Sequence, residues 1–186
     1  MEIEINRKKV KKLRIKVEDG IIKVSAPLRT SEREIKKLVE NNKDLIEELR
    51  LADESRKRYK NHLFGKKIDF TSVKELEKIY RSELKKALDE IFEKYENLTG
   101  LSPKSVEIRK MKVRWGTCYP QSGAIKINLY LAERPREEIE AVVLHELVHL
   151  KYFYHDKKFK EECKKYMPNY EEIERDHQSR SQRYGK

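Results

Sequence analysis

Ile139-Glu140-Ala141-Val142-Val143-Leu144-His145-Glu146-Leu147-Val148-His149-Leu150 is the stretch on which the reading of this 186-residue chain turns. It is a largely apolar helix that must be mostly buried. Two histidines interrupt it four residues apart, with a glutamate after the first, which spells H-E-x-x-H. Four residues along a helix return to within ~40° of the starting direction, so His145 and His149 can face one metal ion. Glu146, next in sequence to the first histidine, can reach a water on that ion rather than the ion itself. Ion, water and a carboxylate to take the proton are what a hydrolase needs.

A third histidine follows at His155, giving H-E-x-x-H-x5-H. On a continuous helix, six residues lie ~240° around and off the shared face. The chain is therefore expected to leave the helix after about Leu150 and fold back, delivering His155 as a third ligand. Three neutral imidazoles leave zinc its full charge and one open position, and water bound there has a pKa near ~7. Zinc is the expected ion, and imidazole sites also accept nickel, cobalt or iron. The spacing equals that of the metzincin proteases, but their turn glycine would fall at Tyr152, so that group is not inferred. The two remaining histidines, His62 and His177, lie in polar surroundings and read as surface residues.

Outward from the site helix, Pro135 stands in its first turn, with Glu137 and Glu138 complementing the helix dipole. Residues 124–131 alternate as a strand, with Ile125, Ile127, Leu129 and Leu131 on one side. A peptide could add to the edge of this strand. Residues 106–113 alternate too, but shift phase between Ile108 and Met111, which predicts a bulge. Further upstream, Ser72 and Glu75 make a capping box for a long helix whose broad apolar face runs from Leu76 to Tyr95, ended by Gly100 and Pro103. Residues 53–71 show no clear period and read as a connection. Ser31 and Glu34 cap an earlier helical region, with Asn41-Asn42 as a break within it. Asp19-Gly20, between Leu13/Ile15/Val17 and Ile22/Val24, is a hairpin turn. These elements organise the chain as an amino-terminal β-hairpin and helical segment over residues 1–71, a catalytic core over 72–178 and a frayed tail over 179–186.

Charged residues make up 41% of the chain and the hydrophobic set 37%, yet the apolar residues keep helix and strand periods, so the chain folds rather than staying disordered. No apolar run is long enough to span a membrane, and the first residues lack the apolar segment of a signal peptide. Only two cysteines, Cys118 and Cys163, are present, which fits core or surface thiols in a reduced, cytoplasmic setting. The 44 basic and 33 acidic side chains leave a net charge of +11. Seven basic and two acidic residues fall within the first 17, a candidate surface for weak nucleic-acid contact.

The run from Arg114 to Tyr170 resembles the YgjP-like metallohydrolase family. It carries Arg114-Trp115-Gly116-Thr117-Cys118, then Ile127-Asn128-Leu129-Tyr130-Leu131, then Pro135. It continues through His145-Glu146-Leu147-Val148-His149-Leu150, His155 and Phe159 to Met167-Pro168-Asn169-Tyr170. Thr117 and Asn169 stand where the family pattern has Ser and Asp. The resemblance implies an α+β fold with a zincin-like metallopeptidase core, in which the H-E-x-x-H helix packs on a small, mostly antiparallel sheet. It also implies three histidine ligands for zinc. The expected activity is that of a zinc-dependent hydrolase acting on peptides or proteins, with Glu146 activating the zinc-bound water. Arg114 is the candidate for stabilising the oxyanion. The family resemblance also admits a UTP pyrophosphatase on the same site. A third reading, from the basic amino terminus, is a nucleic-acid-associated metalloprotein.

Overall fold

The structure is a computed structural model that describes residues 2–178 apart from 19, 112 and 113. Its architecture is mixed α+β, and the described chain divides into two compact units between Arg58 and Tyr59. No helix among the described residues is long and apolar enough to cross a membrane.

The first unit is a three-stranded sheet with two helices. Strands β2 (Arg14–Glu18) and β3 (Ile21–Ala26) form the expected antiparallel hairpin. Gly20 sits at φ +76°, as a hairpin turn requires, while Asp19 lies outside the described residues. An additional strand, β1 (Ile3–Arg7), runs parallel to β3 on its other edge, so the hairpin is one half of a mixed sheet. Helix α1 (Glu32–Glu40) starts at a complete capping box: Ser31 accepts from the Glu34 amide, and the Glu34 side chain accepts from Ser31. Asn41 and Asn42 separate it from α2 (Lys43–Arg58). Ile35, Val39 and Ile46 from these helices bury Val17, Ile22 and Val24 of the sheet.

The second unit begins inside the stretch that lacked any period. Residues 53–58 finish α2, and the short strands β4 (His62–Leu63) and β5 (Lys66–Lys67) pair antiparallel around Gly65. This little hairpin is tied into the second unit: the Phe64 amide donates to the Ala132 carbonyl at 2.8 Å and the Gly65 amide to that of Glu133 at 3.2 Å. Gly65 lies at φ +80°, and a Cβ there would meet Pro135 at 3.2 Å, so glycine serves both the turn and the close approach.

Helix α3 (Val73–Thr99) runs along the unit and ends at Gly100 in the left-handed conformation. Ser72 caps it by accepting from the Glu75 amide, while the Glu75 carboxylate accepts chiefly from the amide and hydroxyl of Thr71 and only weakly from the Ser72 amide. The sheet of this unit has the order β6 (Ser105–Arg109), β8 (Ala124–Asn128), β7 (Gly116–Tyr119). It is mixed rather than mostly antiparallel, because β6 pairs parallel to β8 and only β7 is antiparallel. The antiparallel expectation came with the family resemblance; side-chain alternation reports which face is buried and carries no information on strand direction. The predicted bulge is a strand end: β6 stops at Arg109, and of the residues beyond, 112 and 113 lie outside the described set.

Strand β8 also ends early. Residues Leu129–Glu133 form a 3₁₀ turn because the Asn128 side chain accepts from the Tyr130 amide and caps it. Leu129 and Leu131 are nevertheless fully buried, as alternation predicted, since a single 3₁₀ turn can still point both residues inward. Helix α4 (Arg136–Val148), preceded by Pro135, has neighbours on all sides: α3, β7, and the later helices α5 (Lys157–Tyr166) and α6 (Tyr170–Gln178). That enclosure is why the run from Ala141 to Leu144 and from Leu147 to Val148 is apolar and buried.

Asn128 secures the loop that leads into β7. Its buried amide group donates to the carbonyls of Met111 and Arg114 at 2.9 and 2.8 Å, while its oxygen accepts from the amides of Met111 and Tyr130. Asn128→Ala strands these backbone groups and is expected to cost about 2–3 kcal/mol, read as a lowered urea midpoint at unchanged slope.

Candidate metal centre

Helix α4 delivers two histidines and stops. His145 stands in its last turn, and His149 is the C-cap, at φ −64° and ψ −17°. The chain then tightens: the Leu150 and Lys151 amides bond back to Leu147 and Val148 at 3.0 Å, and Tyr152 reaches Val148 at 2.9 Å. This turn carries the chain back as far as Asp156, whose side chain caps α5 by accepting from the Phe159 amide. His155, immediately before that cap, is thereby brought against the other two. The helix ends about where the third histidine demanded.

The three Nε2 atoms lie 3.0 Å (His145–His149), 3.1 Å (His149–His155) and 3.0 Å (His155–His145) apart. Three imidazole nitrogens converging on one point are able to hold a metal ion, and this is a group of ligating atoms that fits one among the described residues. Zinc–nitrogen bonds of ~2.0–2.1 Å in a tetrahedron separate the nitrogens by about 3.3 Å, close to the spacing seen. Burial holds the pKa of both His149 and His155 below the usual imidazole value, which favours the neutral, ligating form. The His149 Nδ1 lies 2.9 Å from the Tyr152 carbonyl, which can only accept. His149 therefore carries its proton on Nδ1 and turns a lone pair on Nε2 toward the cluster. Beneath the three rings lies Phe159, fully buried, with ring centroids 4.6–5.0 Å from theirs.

Glu146, one residue beyond His145, lies against β7. The residue is only 6% exposed, and burial pushes its pKa up to about 8, against the opposing pull of the Cys118 amide and the Arg114 charge. Gly116 explains the glycine in the Arg114–Cys118 motif: a Cβ there would stand 2.5 Å from a Glu146 carboxylate oxygen. Strand β7 thus approaches α4 as closely as backbone allows and donates an amide to the glutamate. Arg114 is exposed at the start of this segment, near enough for its charge to bear on Glu146. Cys118 is half-buried beside the same carboxylate, and Cys163 is fully buried; neither is in a disulfide.

Sequence reasoning singled out His145, Glu146, His149, His155 and Arg114, and the structure gathers the three imidazoles and sets Arg114 near Glu146. It did not assign roles to Gly116, the Cys118 amide, Phe159 or Tyr170, although all four belong to the motifs that carried the family resemblance. Tyr170 touches the His145 Nδ1 at 2.5 Å from 25 residues away, a distance no periodicity bridges. Of the histidines read as surface residues, His62 is half-buried, with its Nδ1 on the Lys60 carbonyl, and the His177 side chain lies outside the described set.

Two outcomes follow from the packing around Glu146. Gly116→Ala is expected to destabilise by about 1–3 kcal/mol through overpacking, and adding Glu146→Ala should recover most of that loss in urea unfolding. In metal-free protein, the raised Glu146 pKa means that the native state keeps a proton that the unfolded chain releases between about 4.5 and about 8. Stability therefore falls as pH rises through that window. Metal-free Glu146→Gln should gain on wild type steadily across it, a difference measurable as urea midpoints at successive pH values.

A family model described as "YgjP-like, metallopeptidase domain" matches residues 55–179. No curated protein matches the sequence. Among solved structures, the metallopeptidase zymogen of Pyrococcus abyssi abylysin is similar, with 27% identity and a TM-score of 0.44, over 47% of this chain and 88% of that one. The family match covers both sides of the candidate centre, from the β4–β5 hairpin through α6, and supports a metal-dependent hydrolase using a divalent ion. With more than half of its length matched, the chain belongs to the YgjP-like family through its metallopeptidase domain.

Proposed function

We propose that this protein is a zinc-dependent peptidase in which His145, His149 and His155 hold the ion and Glu146 is the general base. The observation that carries the reading is the convergence of three Nε2 atoms within 3.0–3.1 Å, one helical residue away from a buried carboxylate. When bound, zinc supplies Lewis acidity, acidifying a water and polarising the scissile carbonyl. An all-imidazole donor set suits zinc, and nickel, cobalt or iron are the alternatives by ligand type.

The chain's own residues supply the rest. Glu146 takes a proton from the attacking water as its oxygen bonds to the carbonyl carbon, and later hands that proton to the departing amine. Its burial makes it a stronger base than an exposed glutamate. The Cys118 amide and the absent side chain at Gly116 hold its carboxylate in one place. Arg114 faces the developing negative charge on the carbonyl oxygen. The peptide lies along β7, not along the segment 124–131: β8 is the central strand with both edges paired, whereas among the described residues β7 pairs on one side only, and it starts beside Glu146.

Zinc-loaded protein should cleave a peptide library or casein, and Glu146→Gln should lower turnover by about 10²–10⁴-fold while keeping its zinc. His155→Ala should lose zinc itself, read by metal analysis after dialysis. Intact peptides in protein holding one zinc, with UTP hydrolysed in a parallel assay and spared by Glu146→Gln, would replace peptidase with pyrophosphatase as the activity.

A further inference from the structure

The largest fully buried side chain among the described residues is a cation: Arg134 is 1% exposed. It closes the 3₁₀ turn of Leu129–Glu133, its amide bonded to the Leu131 carbonyl at 3.0 Å, two residues before α4 begins. Its Nε donates to the Glu138 carboxylate at 2.6 Å, four residues on. Two aromatic rings stand against the same guanidinium, Tyr59 at 4.7 Å and Trp115 at 5.6 Å from ring centroid to Cζ, both within cation–π range. An ion pair buried to this degree adds little to stability, because desolvation offsets most of the attraction, and apolar side chains of similar size do as well. Its presence at this position calls for another reason.

The reason lies at Trp115. That residue stands between Arg114, assigned above to the carbonyl oxygen, and Gly116, whose missing side chain admits the Glu146 carboxylate. Asn128 fixes the backbone here: its amide donates to the Trp115 carbonyl at 2.8 Å and its side chain to the Arg114 carbonyl at 2.8 Å. The indole is met by Arg134. The stretch that carries Arg134 is itself anchored, since Ala132 and Glu133 accept from the amides of Phe64 and Gly65, and the Glu133 carboxylate accepts from the Asn61 amide at 3.4 Å. A guanidinium is a rigid plate that can pair with a carboxylate through its edge while its face lies on a ring; an ammonium has no such face.

We propose that Arg134 is a positioning residue for the reaction: aimed by Glu138, its guanidinium braces the Trp115 ring and so sets the course of residues 114–116, on which Arg114 and Gly116 stand. It touches neither the ion nor the substrate. The inference rests on the peptidase reading for the step it serves, not for the contacts that define it.

Trp115 is the only tryptophan in the chain, so its fluorescence reads this segment in the full-length protein whether or not zinc is bound. Two variants separate the brace from the charge. Arg134→Lys keeps a cation beside Glu138 without the flat face. Arg134→Met combined with Glu138→Leu replaces the pair by apolar side chains and should unfold at a urea midpoint no lower than wild type. Both should shift the Trp115 emission and open the indole to quenching by acrylamide. With zinc loaded, both should lower kcat on a cleaved peptide by about 10–100-fold and leave KM within about twofold, because a misplaced Arg114 is missed only in the transition state. The lysine variant carries the test alone if the double variant fails to fold. Unchanged Trp115 emission and quenching in Arg134→Lys, or wild-type kcat in either folded variant, would overturn the brace. Wild type that cleaves no peptide, with the Trp115 changes present in both variants, would overturn the peptidase reading and leave the contact of Arg134 with Trp115 standing.

Discussion

A carboxylate enclosed by protein on a largely buried helix is the constraint from which much of this structure follows. Glu146 is buried because α4 is packed by α3, β7, α5 and α6. A charge in such a place is costly unless something polar meets it. What meets it is backbone: the amide of Cys118, brought within reach because residue 116 has no side chain to hold the strand away. The approach of β7 in turn needs its incoming loop anchored, and Asn128 anchors it through four hydrogen bonds from the end of the neighbouring strand. Motif residues that look unrelated along the chain are thus steps in presenting one side chain.

The histidine cluster answers a different requirement, which is direction. Neutral imidazole can place its lone pair on either nitrogen, and a ligand is useful only if the correct one is free. His149 is settled locally by the carbonyl of the turn that ends its own helix. His145 meets a hydroxyl, which is ambivalent, and the ambiguity passes outward to whatever partners that hydroxyl has. Phe159 adds an apolar floor that spaces the rings without competing for their nitrogens.

Much of this was legible in the chain. Helix starts at Ser31 and Ser72, the stop at Gly100, the break at Asn41-Asn42 and the enclosed site helix were all readable, because caps and periodicities are local physics. Strand pairing was not. The parallel partners of β3 and β8 and the 3₁₀ turn at Leu129–Glu133 escaped, since alternation records which face is buried and is blind to direction and to the last turn's geometry. At the Ser72 box the Glu75 carboxylate turns mainly to Thr71, a competitor one residue away that the motif pattern does not weigh.

For the site, the sequence by itself supplied the candidate groups: three imidazoles and, beside the first of them, a carboxylate, at a spacing that obliges the chain to turn after Leu150. Helical geometry makes that a necessity of four-residue and six-residue spacings. Only the tertiary structure decided how those groups are held. That Gly116 yields space to Glu146, that β7 instead of β8 offers the free edge, and that Tyr170 stands behind His145 depend on contacts between segments far apart in the chain. Such contacts are settled by packing in three dimensions, where no local period reaches.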